Sequence, residues 1–152
     1  MGCVNVKISR KWISLLLAML LILVLGLVIL CFYAIYPKAP PIDCPNPANS
    51  WDKEKYIYSI HVSHNSGESV QVKNDEIGLV TQHIPYAKPT RKWTVNEFPP
   101  VEDYYTIEIA ASSRNYLYHI YEEDSRVYIE DPYDGVYTID GKILEIVASY
   151  FE

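Results

Sequence analysis

The chain has 152 residues, with 13 Lys plus Arg against 19 Asp plus Glu, a net charge of −6, three cysteines and fourteen tyrosines. That balance argues against nucleic acid as a partner, because phosphate contact needs clustered Lys and Arg. So few cysteines exclude a disulfide-stapled scaffold, and the length leaves room for one modest domain beside any other segment.

Residues 1–12 form a short head carrying Lys7, Arg10 and Lys11. It opens Met1-Gly2-Cys3, but Val6 stands where myristoylation wants Ser or Thr, so the head reads as an ordinary cytoplasmic stub. Residues 13–36, ISLLLAMLLILVLGLVILCFYAIY, carry no charge and hold nine Leu, four Ile, two Val and one Phe. As a helix the run is about 36 Å long, against a hydrocarbon core of about 30 Å. Trp12 at one end and Tyr33 and Tyr36 at the other sit as interfacial aromatics do. The run is read as a transmembrane helix, an uncleaved signal anchor whose partner is the lipid bilayer. A cleaved signal peptide would have a shorter apolar region followed by small residues, and Ala34-Ile35-Tyr36-Pro37 offers no such site. Leu30 is also too large for a lipoprotein signal at Cys31. Only Lys38 follows the run closely, so the basic bias predicts a cytoplasmic N-terminus and a C-terminal domain outside the cell membrane.

Residues 37–50, PKAPPIDCPNPANS, contain five prolines and cannot hold a helix. They read as a Pro-rich tether, a semi-rigid spacer. Cys3, Cys31 and Cys44 then fall in three compartments, so no bridge can form within the outer domain. Cys44 can pair only with another chain, as a disulfide dimer. All nineteen acids lie beyond the apolar run, and from Trp51 onward eighteen acids face nine Lys plus Arg. This surplus reads first as solubility and second as complementarity to a basic ligand.

Residues 51–152 read as an extracytoplasmic α+β domain. YIYSIHVS (56–63) alternates apolar and polar residues, Asn65-Ser66-Gly67 supplies a turn, and ESVQV (68–72) returns as its partner strand. Asn74 is placed to cap a helix whose apolar face is Ile77, Val80 and Ile84, ended by Pro85. A long connection follows over 85–102. DYYTIEIAA (103–111) puts Tyr105, Ile107, Ile109 and Ala111 on one face. YLYHIYEE (116–123) and RVYIE (126–130) form a hairpin around Glu123-Asp124-Ser125, and Asp134-Gly135 turns into a strand from Val136 to Ile139. Asp140 is placed to cap a last helix lined by Ile143, Val147 and Tyr150. The sum is one N-terminal transmembrane helix followed by a small antiparallel sheet covered by one or two helices.

From about Ile77 to Ile139 the chain resembles an uncharacterised family of small membrane-anchored domains of Gram-positive bacteria, known only as a domain of unknown function. The stretches that carry the resemblance are IPYAKPTRKWTVNEFPPVEDYYTIEI and VYIEDPYDGVYTID. The second is the more specific, through Tyr128-Ile129-Glu130, Pro132-Tyr133, Gly135, Tyr137 and Ile139. The resemblance implies a place and a shape, and no catalytic residues.

Each candidate for chemistry has a plainer reading. His61 and His64 are three apart on a strand, hence on opposite faces, and His83 and His119 lie elsewhere, which argues against zinc. Glu130, Asp131, Asp134 and Asp140 lack the alternation of a calcium loop, and a turn stabilised by Asp side chains explains Asp131 and Asp134. No G-x-S-x-G elbow or phosphate loop is present. No catalytic residue, metal site or cofactor is therefore expected. Twelve tyrosines lie beyond Trp51. Tyr116 and Tyr118 share a strand face opposite Tyr121, so some rings are expected at the surface, and Tyr116, Tyr118, Tyr128, Tyr133 and Tyr137 are the candidate partner-binding aromatic face. The leading expectation is a non-enzymatic envelope interaction or ligand-binding domain whose partner is a protein, peptide or glycan. An envelope hydrolase or metal-dependent enzyme, and an inhibitor or immunity protein against a secreted toxin, stand as alternatives.

Overall fold

A computed structural model describes residues 10–45, 57–92, 94, 97–112 and 114–152. Most of the head, the end of the tether and residues 51–56 of the outer domain lie outside those residues. The chain divides into two units at Pro37/Lys38.

The first unit contains helix α1 (Arg10–Ile35). From Lys11 to Ile35 it is long and apolar enough to cross a membrane, and none of its most apolar stretch is buried by protein. A helix apolar on every side has no polar face to turn to water.

The second unit is built on seven antiparallel strands: β1 (Ile57–His64), β2 (Ser69–Gln71), β3 (Lys88–Pro89), β4 (Tyr105–Ala111), β5 (Asn115–Glu123), β6 (Arg126–Asp131) and β7 (Gly135–Thr138). Their order across the sheet is β2-β1-β4-β5-β6-β7-β3. Two short helices, α2 (Ile77–Thr81) and α3 (Lys142–Ala148), complete the α+β fold. The alternation that marked the strands is obeyed: Ile107 and Ile109 are fully buried while Glu108 between them is exposed. The β5–β6 hairpin turns on Asp124 and Ser125, whose φ values of 51° and 58° are those of a type I′ turn matched to strand twist.

Because β2 and β3 lie on opposite edges, the chain between them crosses a whole face of the sheet. It does so as α2 and a 3-10 turn (Ile84–Tyr86), burying Val80 and Ile84 with Ile143 and Val147 of α3 against Ile60, Ile107, Ile109, Ile120 and Ile129. From β3 the chain must return to β4 in the middle of the sheet. Val101 and Tyr104 on this return pack with Tyr121, Tyr128 and Val136, on the face that the helices do not use. Two hydrophobic layers result, one on each side of β5–β7.

Three expectations are corrected. Asn74 does not cap α2: a turn closes from Lys73 O to Glu76 N (2.9 Å), and Glu76 stands at the N-cap without a side-chain bond. The connection over 85–102 carries elements of its own, most of the 3-10 turn and β3. The spacer is not one throughout: Ala39, Ile42 and Cys44 pack against the core, and Ala39 N–H donates to Thr90 O at 3.0 Å. Residues 38–45 are therefore a strap on the sheet. At α3 the N-cap position is Gly141, without a side-chain bond, and Asp140 one residue earlier braces the same turn, its Oδ1 accepting from Lys142 N at 3.1 Å.

Candidate functional site

The expected tyrosine face does not exist as a surface. Tyr116, Tyr118, Tyr128 and Tyr137 are buried, and only Tyr133 is exposed, at 64 %. On the helical side Tyr116 and Tyr118 stack at 6.3 Å, and the Arg114 guanidinium lies 4.5 Å from the Tyr116 ring centre while pairing with Asp43 at 3.2 Å. The Tyr118 hydroxyl donates to the Asp43 carbonyl of the strap, and burial raises its pKa strongly. Burial, with Asp131 and Asp134 nearby, pushes the Tyr137 hydroxyl up to about 12. Tyr128 lies on the other side, stacked on Tyr121 at 5.6 Å with Lys92 Nζ 4.0 Å from its ring centre. Strand alternation separates the rings correctly. Sequence reading missed that the strap and the return segment cover both faces.

A polar rung crosses the middle of the returning layer. His119 and Glu130 face each other in the β5–β6 register, with Thr106 opposite His119 on β4. His119 and Glu130 are 1 % and 2 % exposed. The Glu97 carbonyl, 2.8 Å from His119 Nε2, can only accept, so Nε2 carries the hydrogen and Nδ1 accepts from the Thr106 hydroxyl at 3.0 Å. Burial lowers the His119 pKa, opposed by the Glu97 bond and by Glu130, which favours the neutral ring. Tyr121 hydrogen-bonds Glu130, whereas Glu130 Oε2 has no partner among the described residues. Phe98 and Tyr104 close over the imidazole at 5.9 and 5.5 Å. The rung is thus a hook that ties the return segment down, reinforced at its start by the Lys92–Glu123 ion pair.

A concave feature lies elsewhere, where the 3-10 turn meets the β3–β7 edge. This cleft of about 400 Å³ is lined by His83, Tyr86, Lys88, Thr138, Ile139 and Asp140. The 3-10 turn places Tyr86 on the outside at 80 % exposure because Ile84, two residues earlier, is drawn into the core. Lys88 reaches the same rim because its register partner on β7 is Thr138, whose neighbour Tyr137 points to the core. Sequence reading placed His83 and Asp140 only as isolated residues. Nothing local marked them as neighbours. Another, smaller cleft of about 170 Å³ lies on the sheet beside His61, Glu108 and Leu117.

One further constellation arises from the β1–β2 turn. His64 Nδ1 is 2.8 Å from Ser66 Oγ, and its Nε2 is 2.7 Å from Asp103 Oδ1. The carboxylate fixes the tautomer and leaves Nδ1 to accept from the serine. The flanking N–H groups of Asn65 and Gly67 already donate to Tyr104 O and His64 O, so they do not form a donor pair for an oxyanion. Among the described residues no group of three or more His, Cys, Asp or Glu is arranged to hold a metal.

Compared with known proteins, the chain matches no curated protein and no solved structure. Residues 48–138 match a family described as a domain of unknown function (DUF5300). That span begins three residues beyond the strap and ends with β7, and takes in the return segment and the strands it packs against. The chain therefore belongs to this DUF5301 family, a domain of unknown function.

Proposed function

We propose that the protein is a ligand-binding module held at the outer side of the cell membrane by α1, with its N-terminus in the cytoplasm, and that it makes contact through the β3–β7 cleft. One observation carries the reading. The Tyr86 ring, the Lys88 ammonium and the His83 imidazole converge on one concave space and have little to hold there: only His83 has a side-chain contact among the described residues, a long one to Gln82 at 3.4 Å. Polar and aromatic groups gathered without internal partners are what a ligand site requires. Anchorage and orientation are supported by the uncharged length of α1 and by Arg10 and Lys11 at its start. Protease added to intact protoplasts should remove the domain beyond about residue 38; a fully protected domain overturns the orientation. For the site, Tyr86→Ala in the full chain should reduce retention on isolated cell envelopes. Equal retention rejects the cleft.

The Ser66–His64–Asp103 array favours a second reading, an envelope hydrolase. If that is right, a fluorophosphonate probe will label the wild-type chain and will not label Ser66→Ala.

A further inference from the structure

Resting on that reading, we propose that the ligand of the β3–β7 cleft is a saccharide bearing an anionic group. The ring of Tyr86 is 80 % exposed and stacks on no other ring among the described residues. A free aromatic face beside a cleft is a platform for the C–H face of a sugar ring. At about 400 Å³ the cleft lies toward the small end of ligand clefts, which suits a few linked rings better than a protein epitope.

Charge narrows the class. In a domain where acids outnumber Lys plus Arg two to one, Lys88 forms no ion pair among the described residues, although Asp140 lines the same cleft. Asp140 is turned instead to α3, where its Oδ1 accepts from Lys142 N. Lys88 thus remains available to a carboxylate or phosphate. Asp140 and Thr138 also line the cleft, the Thr138 hydroxyl held only by a long bond to Lys88 O at 3.5 Å, and side chains of these types suit sugar hydroxyls. A ligand needs both an anion and hydroxyl donors to use this set. A bare phosphate can use Lys88 but not the Tyr86 ring.

The edge itself disfavours a peptide, which would bind by adding a strand. Pro89 has no N–H to offer. Thr90 N–H already donates to Val136 O, and Thr90 O already accepts from Ala39 N–H, both at 3.0 Å. Recognition is left to side chains.

The test uses the full chain in detergent micelles and isothermal titration. The carboxylate probe is a hyaluronan tetrasaccharide, the phosphate probe is N-acetylglucosamine 1-phosphate, and chitotetraose and inorganic phosphate are the controls. One or both acidic sugars should bind at least about tenfold more tightly than chitotetraose or phosphate. Tyr86→Ala should weaken that binding by about tenfold or more, as truncation of an aromatic anchor does. Lys88→Gln should abolish the preference for acidic over neutral sugar. The proposal is overturned if neither acidic sugar binds, if phosphate competes equally, or if Tyr86→Ala binds unchanged. Tyr86-dependent retention on envelopes without binding of either acidic sugar rejects the ligand class and keeps the cleft. Loss of Tyr86 dependence in both measurements rejects the cleft as well.

Discussion

Gly135 opens β7 directly beneath Ala39 of the strap, so closely that a Cβ on Gly135 would fall on the Cβ of Ala39. The glycine is there for the approach of another segment, since no positive φ demands it. Gly135→Ala must displace the strap or shift β7, and overpacking of this kind costs about 1–3 kcal/mol. Thermal unfolding of the full chain should show the loss, and Ala39→Gly in the same chain should restore most of it. Additive losses in the double variant would mean that the two residues do not meet.

The histidine of the polar rung gives a pH dependence with a defined sign. Burial lowers the His119 pKa below its ordinary 6.5, so on acidification the unfolded chain takes up a proton that the folded chain refuses. Stability then falls as pH drops below that ordinary value. Denaturant unfolding between pH 7 and pH 5 should show a shallower acid loss in His119→Gln than in wild type. Parallel slopes would remove His119 as the source.

Asp131 works in the opposite direction. Burial first, then Asp134, raises its carboxyl from 3.8 to about 6, against the pull of Arg114. The stability it contributes is present below the ordinary value and is lost as pH rises through about 6. Asp131→Asn should therefore stabilise the chain at pH 7, by about 1 kcal/mol once solvent screening on its open side is allowed for. The gain should vanish near pH 4. A variant no more stable than wild type at pH 7 would contradict the assignment.

Tyr133 carries a strain of its own. The Asp131 O to Asp134 N bond of 3.0 Å closes a turn over Pro132 and Tyr133, and Tyr133 has φ 69°. Proline followed by positive φ is a type II turn, whose third position suits Gly or Asn. An L-residue with a Cβ pays roughly 1–2 kcal/mol there, and Gly loses part of that advantage to the unfolded chain. With its ring 64 % exposed, Tyr133 has little packing to lose. Tyr133→Gly should raise the melting temperature by a few degrees. A fall would show that the ring is held by contacts that outweigh the strain.

What could be read from the sequence was whatever is local. Alternation located β1, β4, β5 and β6 to within a residue or two, Asp124-Ser125 announced the hairpin, and Asp140 announced α3. The same alternation put Tyr118 and Tyr121 on opposite faces, but it cannot say what covers a face. That depends on pairings such as Thr90 with Ala39 and His119 with Glu97, between residues far apart in the chain. Proline content ruled out a helix over 37–50, and the described residues 38–45 are neither helix nor strand, but composition is silent about their packing. β3 was invisible because two residues have no period. The cleft was missed for the same reason: Tyr86 and Lys88 are close in sequence, but Asp140 reaches them only through the β3–β7 pairing.

The strap also sets an order of events during synthesis. Ala39 is made 96 positions before Gly135 and 51 before Thr90, the two residues that receive it. At about 5–20 residues per second, its seat on β7 does not exist until roughly 5–20 seconds after it is made. The first part of the domain to be translated is thus among the last to dock. Until the strands of the core have formed, Ile42 and Cys44 lack the surface they pack against, and a thiol that is half-buried in the finished fold is open to any oxidant or chaperone that meets the nascent chain.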